Sequence, residues 1–219
     1  MQPPPSPVIP SSGEHDPRAT RDRILDAAET LFAERGFDGV AVRDIAARVG
    51  LNAASLYNHF PGKQALYEAV LERGLAPLLA LVGRIAERGA ATEDADQIIA
   101  TLMAQLGHTP QLPRLIQHEA VRGAENLSQL ARRFIRPLFV QGTAAMKQSP
   151  DTRHWPESEL PLVIAGFMHL LFGHFAMAPL LADVLDEDPL SPEVLARQTR
   201  FLQKLTRLLV TPPPKDPKE

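Results

Sequence analysis

Residues 43–60 read RDIAARVGLNAASLYNHF. Val42, Ile45, Ala46 and Val49 fall at i, i+3, i+4 and i+7, which predicts a helix over 42–49 with one apolar stripe. Gly50 follows the stripe, where a chain leaving a helix needs a positive φ. Leu51 packs the turn. Asn52 is a good N-cap, because its side-chain oxygen accepts from the free amides of the next helix. Leu56 anchors that second helix on the first. Two readings fit this pattern. One is an ordinary helical hairpin in an all-α core. The other is a helix-turn-helix, whose second helix enters the DNA major groove.

The flanks bear on the choice. Upstream, TRDRILDAAETLFAERGF (20–37) places Ile24, Ala28, Leu31 and Phe32 on one face, with Gly36 at the end. Downstream, Tyr57, His59, Phe60, Lys63 and Leu66 follow at short fixed distances. With VRDIA (42–46) between them, residues 20–66 resemble the tetracycline-repressor (TetR/AcrR) family of bacterial transcription regulators. The resemblance implies an all-α chain. An N-terminal three-helix helix-turn-helix DNA-binding domain would precede a C-terminal helical ligand-binding and dimerisation domain. It implies a repressor that binds a pseudo-palindromic operator as a homodimer and is released by a small molecule. No cofactor and no catalysis are expected.

The recognition helix is expected over Asn52 to His59. Its candidate DNA contacts are Asn52, Ala53, Ala54, Ser55, Tyr57 and Asn58, with Arg43 on the preceding helix. Tyr57, His59 and Lys63 match family positions that grip the DNA backbone. Two departures stand out. Where the family has Thr-Ser or Thr-Thr before the first helix of the motif, this chain has Val40 and Ala41, which offer no capping hydroxyl. Where it carries a polar residue and Gly at the start of the recognition helix, this chain has Ala53 and Ala54. Alanine touches a thymine methyl but forms no hydrogen bond to a base edge.

The chain has 219 residues and a formal charge of −3. Residues 1–63 hold Arg18, Arg21, Arg23, Arg35, Arg43, Arg48 and Lys63 against eight acids, which argues against a non-specific nucleic-acid coat. From Ala46 to Ala65 there is no acid, and the charged residues are Arg48 and Lys63. The expected DNA face is therefore locally cationic, with a moderate salt dependence.

There is no cysteine, hence no disulfide and no thiolate metal site. Residues 1–17 carry six prolines and read as a disordered tail rather than a signal peptide. Residues 212–219 read as a second tail. Between them the expected division is 18–63 for DNA binding and 64–211 for effector binding and dimerisation, in a cytoplasmic protein. Helices are expected at 20–35, 42–49, 53–59 and 63–88, the last kinked or split by Gly74 and Pro77. Others follow at 93–106, 110–121, 126–147 (kinked at Pro137), 157–184 (broken near Gly173 or Pro179) and 192–210.

Leu160 to Ala182 contains no Asp, Glu, Lys or Arg, and its length would satisfy a membrane span. Two prolines, two glycines, two histidines and acidic flanks favour a helix buried on nearly all sides instead. The final helix carries two apolar stripes, Val194, Phe201, Leu205, Leu208 and Leu195, Leu202, Leu209. One face for the core and one for a partner subunit is the expectation. The resemblance implies the same, a four-helix dimer bundle, with Gly166, Phe175, Val194, Phe201 and Leu208 at the interface.

Candidate effector residues are Met103, His118, Arg122, Phe139, His169 and Phe172, a mix of apolar side chains and a few polar handles suited to a mainly hydrophobic molecule. Histidine on a buried helix is more commonly a satisfied core residue. No ligand spacing for a metal is present. A helical enzyme with a fortuitous hairpin and a membrane-associated helical protein are the alternatives. No Ser/Cys–His pair, Gly-rich phosphate loop or paired carboxylates support the enzyme.

Overall fold

The computed structural model describes residues 17–88, 95–122 and 131–210. The expected tails, 1–17 and 212–219, lie outside the described residues except for Pro17, which opens the first helix instead of closing the tail. The described elements are helical, without strands. They are α1 (Pro17–Arg35), α2 (Val42–Arg48), α3 (Ala53–Tyr57), α4 (Lys63–Arg88), α5 (Ala95–His108) and α6 (Leu112–Arg122). A π-helical turn, Ala131–Ile135, leads into α7 (Arg136–Gln148). Then come α8 (Leu160–Ala176), α9 (Ala178–Leu185) and α10 (Pro192–Val210).

Each early boundary has a local cause. Gly36 ends α1 with φ of 70°, its amide donating to the Phe32 carbonyl at 2.8 Å. Gly50 ends the α2 turn with φ of 74°, and the Leu51 amide reaches back to the Ala46 carbonyl at 2.9 Å. A side chain at either position would strain the left-handed backbone. The start of α2 has no side-chain cap, as Ala41 dictates. Asp44 partly compensates by accepting the Ala41 amide at 3.2 Å.

Helix α4 departs from expectation. It runs unbroken through Gly74 and Pro77. Pro77 faces solvent, so its missing amide and the crowding of the Arg73 carbonyl fall on the outer side of a 26-residue ladder that continues past them. Gly74 serves packing: a Cβ there would stand 2.8 Å from Leu112 Cδ1, so its absence lets α6 lie close against α4. Pro137 does not kink a helix interior either. It sits in the first turn of α7, directly after the wide π turn. The long apolar segment is broken as expected, at Met177, and α9 leaves α8 at 67°. Among the described residues no single helix is long and apolar enough to cross a membrane.

One apolar cluster runs through the chain. It joins Ile24, Phe32, Ile45 and Leu56 to Leu66, Tyr67 and Leu75 of α4, and continues to Leu112, Leu171 and Leu202. Helix α6 packs on both α1 and α8, and α10 lies along α5. Arg73 on α4 reinforces the junction with α1, reaching Asp26 at 2.7 Å and Glu29 at 2.6 Å. Burial lowers the Arg73 pKa, but the hydrogen bonds to Glu29 and then Asp26, with their charges, outweigh it and leave a net raise. The guanidinium is charged at any working pH.

Glu29 is the better-buried of the two carboxylates. Arg73→Met leaves it without its cation and is expected to lower stability by about 1–3 kcal/mol. Glu29→Gln should cost less. Urea denaturation of both variants checks the order, and an unaltered midpoint for Arg73→Met removes the pair from the junction.

Candidate functional site

Helix α3 stands on α2 through Leu56, which is fully buried. The Asn52 Oδ1 accepts the Ser55 amide at 2.8 Å, which completes the cap. Helical geometry ends at Tyr57, two residues before the expected His59, and the His59 and Phe60 amides both fold back on the Leu56 carbonyl. Asn52, Ala54, Tyr57 and Asn58 are exposed, while Ala53, Ser55 and His59 are half-buried. Together they form a surface without an acid from Ala46 to Ala65.

The cap limits what Asn52 offers. Its oxygen is already engaged by one backbone amide, which leaves two N–H donors and a single lone pair for a ligand. Bidentate reading of adenine needs both groups, and the cap fixes the direction in which the oxygen points. Lys63 opens α4 with its Nζ 4.3 Å from the Phe37 ring centre, which holds the ammonium beside this surface. Arg43 is exposed and lies 3.8 Å from Asp44, which offsets part of its charge.

Two arginines outside the motif support it. Arg23 on α1 donates to the Val49 carbonyl at the end of α2, at 2.8 Å. Arg21 stacks over Phe60 with its guanidinium carbon 4.8 Å from the ring centre. Sequence spacing gave no sign of either, because the partners are far apart along the chain.

The second feature is a cavity of about 280 Å³ among α4, α5, α7, α8 and α10. Phe172 lines it, as do Met146 and Met168. Several expected effector residues do not. Met103 and Phe139 sit one residue round from the lining Leu102 and Leu138, and a helix turns 100° per residue. Met103 therefore faces the common core. Helix α6, with His118, contributes nothing to the lining. The Arg122 side chain lies outside the described residues. His169 is exposed and donates from Nδ1 to the Ala165 carbonyl at 2.6 Å. It lines a separate surface groove of about 470 Å³ with His174 and Val194. The polar lining of the cavity is instead Ser149, Asp151, Thr152 and Thr206.

The third feature is an uncovered apolar face. Gly166, Leu162 and Leu170 of α8 lie open, as do Phe201 (54% exposed) and Leu208 (67%) of α10. So α8 is not buried on nearly all sides. Phe175 and Val194 do not belong to this face. Phe175 is 1% exposed, because nine residues after Gly166 the helix has turned half a revolution away. Val194 is buried at the floor of the groove, where His174 Nε2 donates to the Pro189 carbonyl at 2.9 Å.

The family described as bacterial regulatory proteins, tetR family, matches residues 24–70. Across 48 residues the chain is 50% identical to the biofilm operon icaADBC HTH-type negative transcriptional regulator IcaR of Staphylococcus aureus (strain Newman), covering 22% of this chain and 26% of that protein. The HTH-type transcriptional repressor KstR2 of Mycolicibacterium smegmatis is 46% identical over 55 residues, 25% of this chain and 27% of that protein. The chain thus spans about a quarter of the length of the curated relatives it matches.

The fold is shared far more widely than the sequence. A transcriptional regulator of the TetR/AcrR family from Aquifex aeolicus superposes with a TM-score of 0.63 at 18% identity, over 87% of this chain and 99% of that one. SmeT, solved as a triclosan complex, gives 0.61 at 21% identity, over 92% and 98%. Residues 24–70 thus carry the helix-turn-helix of the tetR family of bacterial regulatory proteins, and the helical body that follows shares its fold with the solved regulators.

Proposed function

We propose that the chain is a ligand-responsive transcriptional repressor of the bacterial cytoplasm, without catalytic activity. Two copies bind a pseudo-palindromic operator, and a small, mainly hydrophobic effector releases them. The carrying observation is that α4, whose Lys63 borders the acid-free surface around α3, also walls a cavity. The names of its relatives, a negative regulator and a repressor, support the sign of regulation. The triclosan complex of SmeT supports small-molecule binding. A ligand shifts the equilibrium by its differential affinity for the two states and no more. The tilt of α4 is the natural means of coupling.

Selection of duplexes from a random pool by the full chain tests the reading. The expected product is an inverted repeat with half-sites one helical turn or a multiple of it apart. Recovery of no preferred sequence leaves the helical-enzyme alternative. On the selected duplex, Lys63→Ala and Tyr57→Phe should weaken binding without reordering operator variants. Lys63→Ala should also reduce the salt slope by about one. Unaltered affinity in both, across several salt concentrations, takes these residues out of the interface.

A further inference from the structure

The cavity has a chemical polarity of its own. Its body is apolar, built from side chains such as Leu78, Ile99, Leu106, Phe167 and Leu171. Its polar lining comes from the turn after α7 and the last part of α10. These segments are fastened together at the Leu209 carbonyl, which accepts from Trp155 Nε1 at 2.9 Å and from His154 Nε2 at 3.2 Å.

Two of the three hydroxyl groups there, on Thr152 and Thr206, have already committed their protons. Thr152 Oγ1 donates to the Met146 carbonyl, and Thr206 Oγ1 donates to the Leu202 carbonyl at 2.8 Å. What remains on both oxygens is lone pairs. Asp151, exposed at the same end, is a carboxylate and accepts only. The backbone agrees in sign. Helix α7 ends at Ser149, so its carbonyl terminus and the partial negative charge of its dipole lie at this end. Among the described residues no lysine, arginine or histidine lines the cavity. Lys147 nearby is engaged by Glu157, and Arg153 is exposed.

We infer that the effector is an apolar molecule with a hydrogen-bond-donating head group, a phenol or an ammonium, and that the cavity rejects anionic amphiphiles such as carboxylates. This rests on the proposed effector role of the cavity and narrows it to a class. A carboxylate would bring a second negative charge to Asp151 and to acceptors it cannot satisfy. Sites built to receive a donor discriminate strongly against analogues that lack one.

Four ligands on one skeleton test the inference at neutral pH: 4-butylphenol, 4-butylbenzylamine, 4-butylanisole and 4-butylbenzoate. Titration calorimetry on the full chain without DNA is expected to show the phenol and the ammonium binding at least about tenfold tighter than the ether and the carboxylate. Asp151→Asn should weaken the ammonium and spare the phenol. Ile164→Phe, which fills the cavity, should abolish binding of both, with a far-UV spectrum and unliganded melting curve that show it folded. Met168→Phe serves the same purpose if it is not. Equal affinity of phenol and ether, a carboxylate that binds best, or no binding by any of the four overturns the inference. Operator anisotropy in the same samples separates the two readings. The expected ranking with no release of DNA keeps the ligand class and removes the switch.

Discussion

Phe201→Asp combined with Leu208→Asp is expected to yield a folded monomer that binds its operator about 10²–10⁴-fold more weakly than the parent chain. Both side chains project from α10 into solvent within one chain. A carboxylate at these positions therefore meets water in the monomer and leaves the core intact. In the proposed two-fold dimer this face is taken as the interface, where unpaired charge is costly. On α8, Leu162 and Leu170 are exposed as well, and exposed apolar side chains of this size mark interaction surfaces. Loss of the second recognition helix removes the bivalent contribution to binding, which sets the magnitude. Light scattering gives the mass, circular dichroism the fold, and anisotropy the affinity. A dimeric double variant with parental affinity places the subunit contact elsewhere.

Leu56→Ala is the second large effect, a loss of about 2–5 kcal/mol in stability. Leu56 is fully buried and is the residue that seats α3 on α2. A helix of five residues has no stability of its own, so nearly all of its order comes from that contact. At this chain length the melting temperature should fall by roughly 4–20 °C. Its neighbour Tyr57 is half-exposed, and Tyr57→Ala should change stability by no more than about 0.5 kcal/mol while weakening operator binding. The adjacent pair thus separates fold from recognition. Equal melting temperatures for the two variants would contradict the packing of α3.

Local patterns in the sequence led to the right elements wherever the cause was local. The stripe from Val42 to Val49, the turn glycine at 50 and the Asn52 cap all act within a few residues, and α2, α3 and the start of α4 follow. The break in the long apolar segment was legible for the same reason, since Pro179 suits the first turn of a new helix. Local rules failed where packing overrode them. Pro77 sits in an unbroken helix because its ring faces water and the remaining ladder is long. Residue type also proved a poor guide to the cavity. Met103 and Phe139 have the right chemistry, but the lining is chosen by angle around the helix, and Leu102 and Leu138 occupy those angles. Ser149, Asp151 and Thr152 read as an ordinary proline turn. Tertiary bonds to Leu209 bring that turn beside α10.

Because one apolar cluster runs from Ile24 to Leu202, the helix-turn-helix has no separate melting boundary of its own. Its amides open to hydrogen exchange largely when the whole body opens. Occupancy of a distant cavity then slows exchange at Ile45 and Leu56 by the factor 1 + [L]/Kd, even where no atom of α2 or α3 moves. On the proposed switch, the effector is a thermodynamic chaperone of the DNA-reading surface at the same moment that it withdraws that surface from DNA.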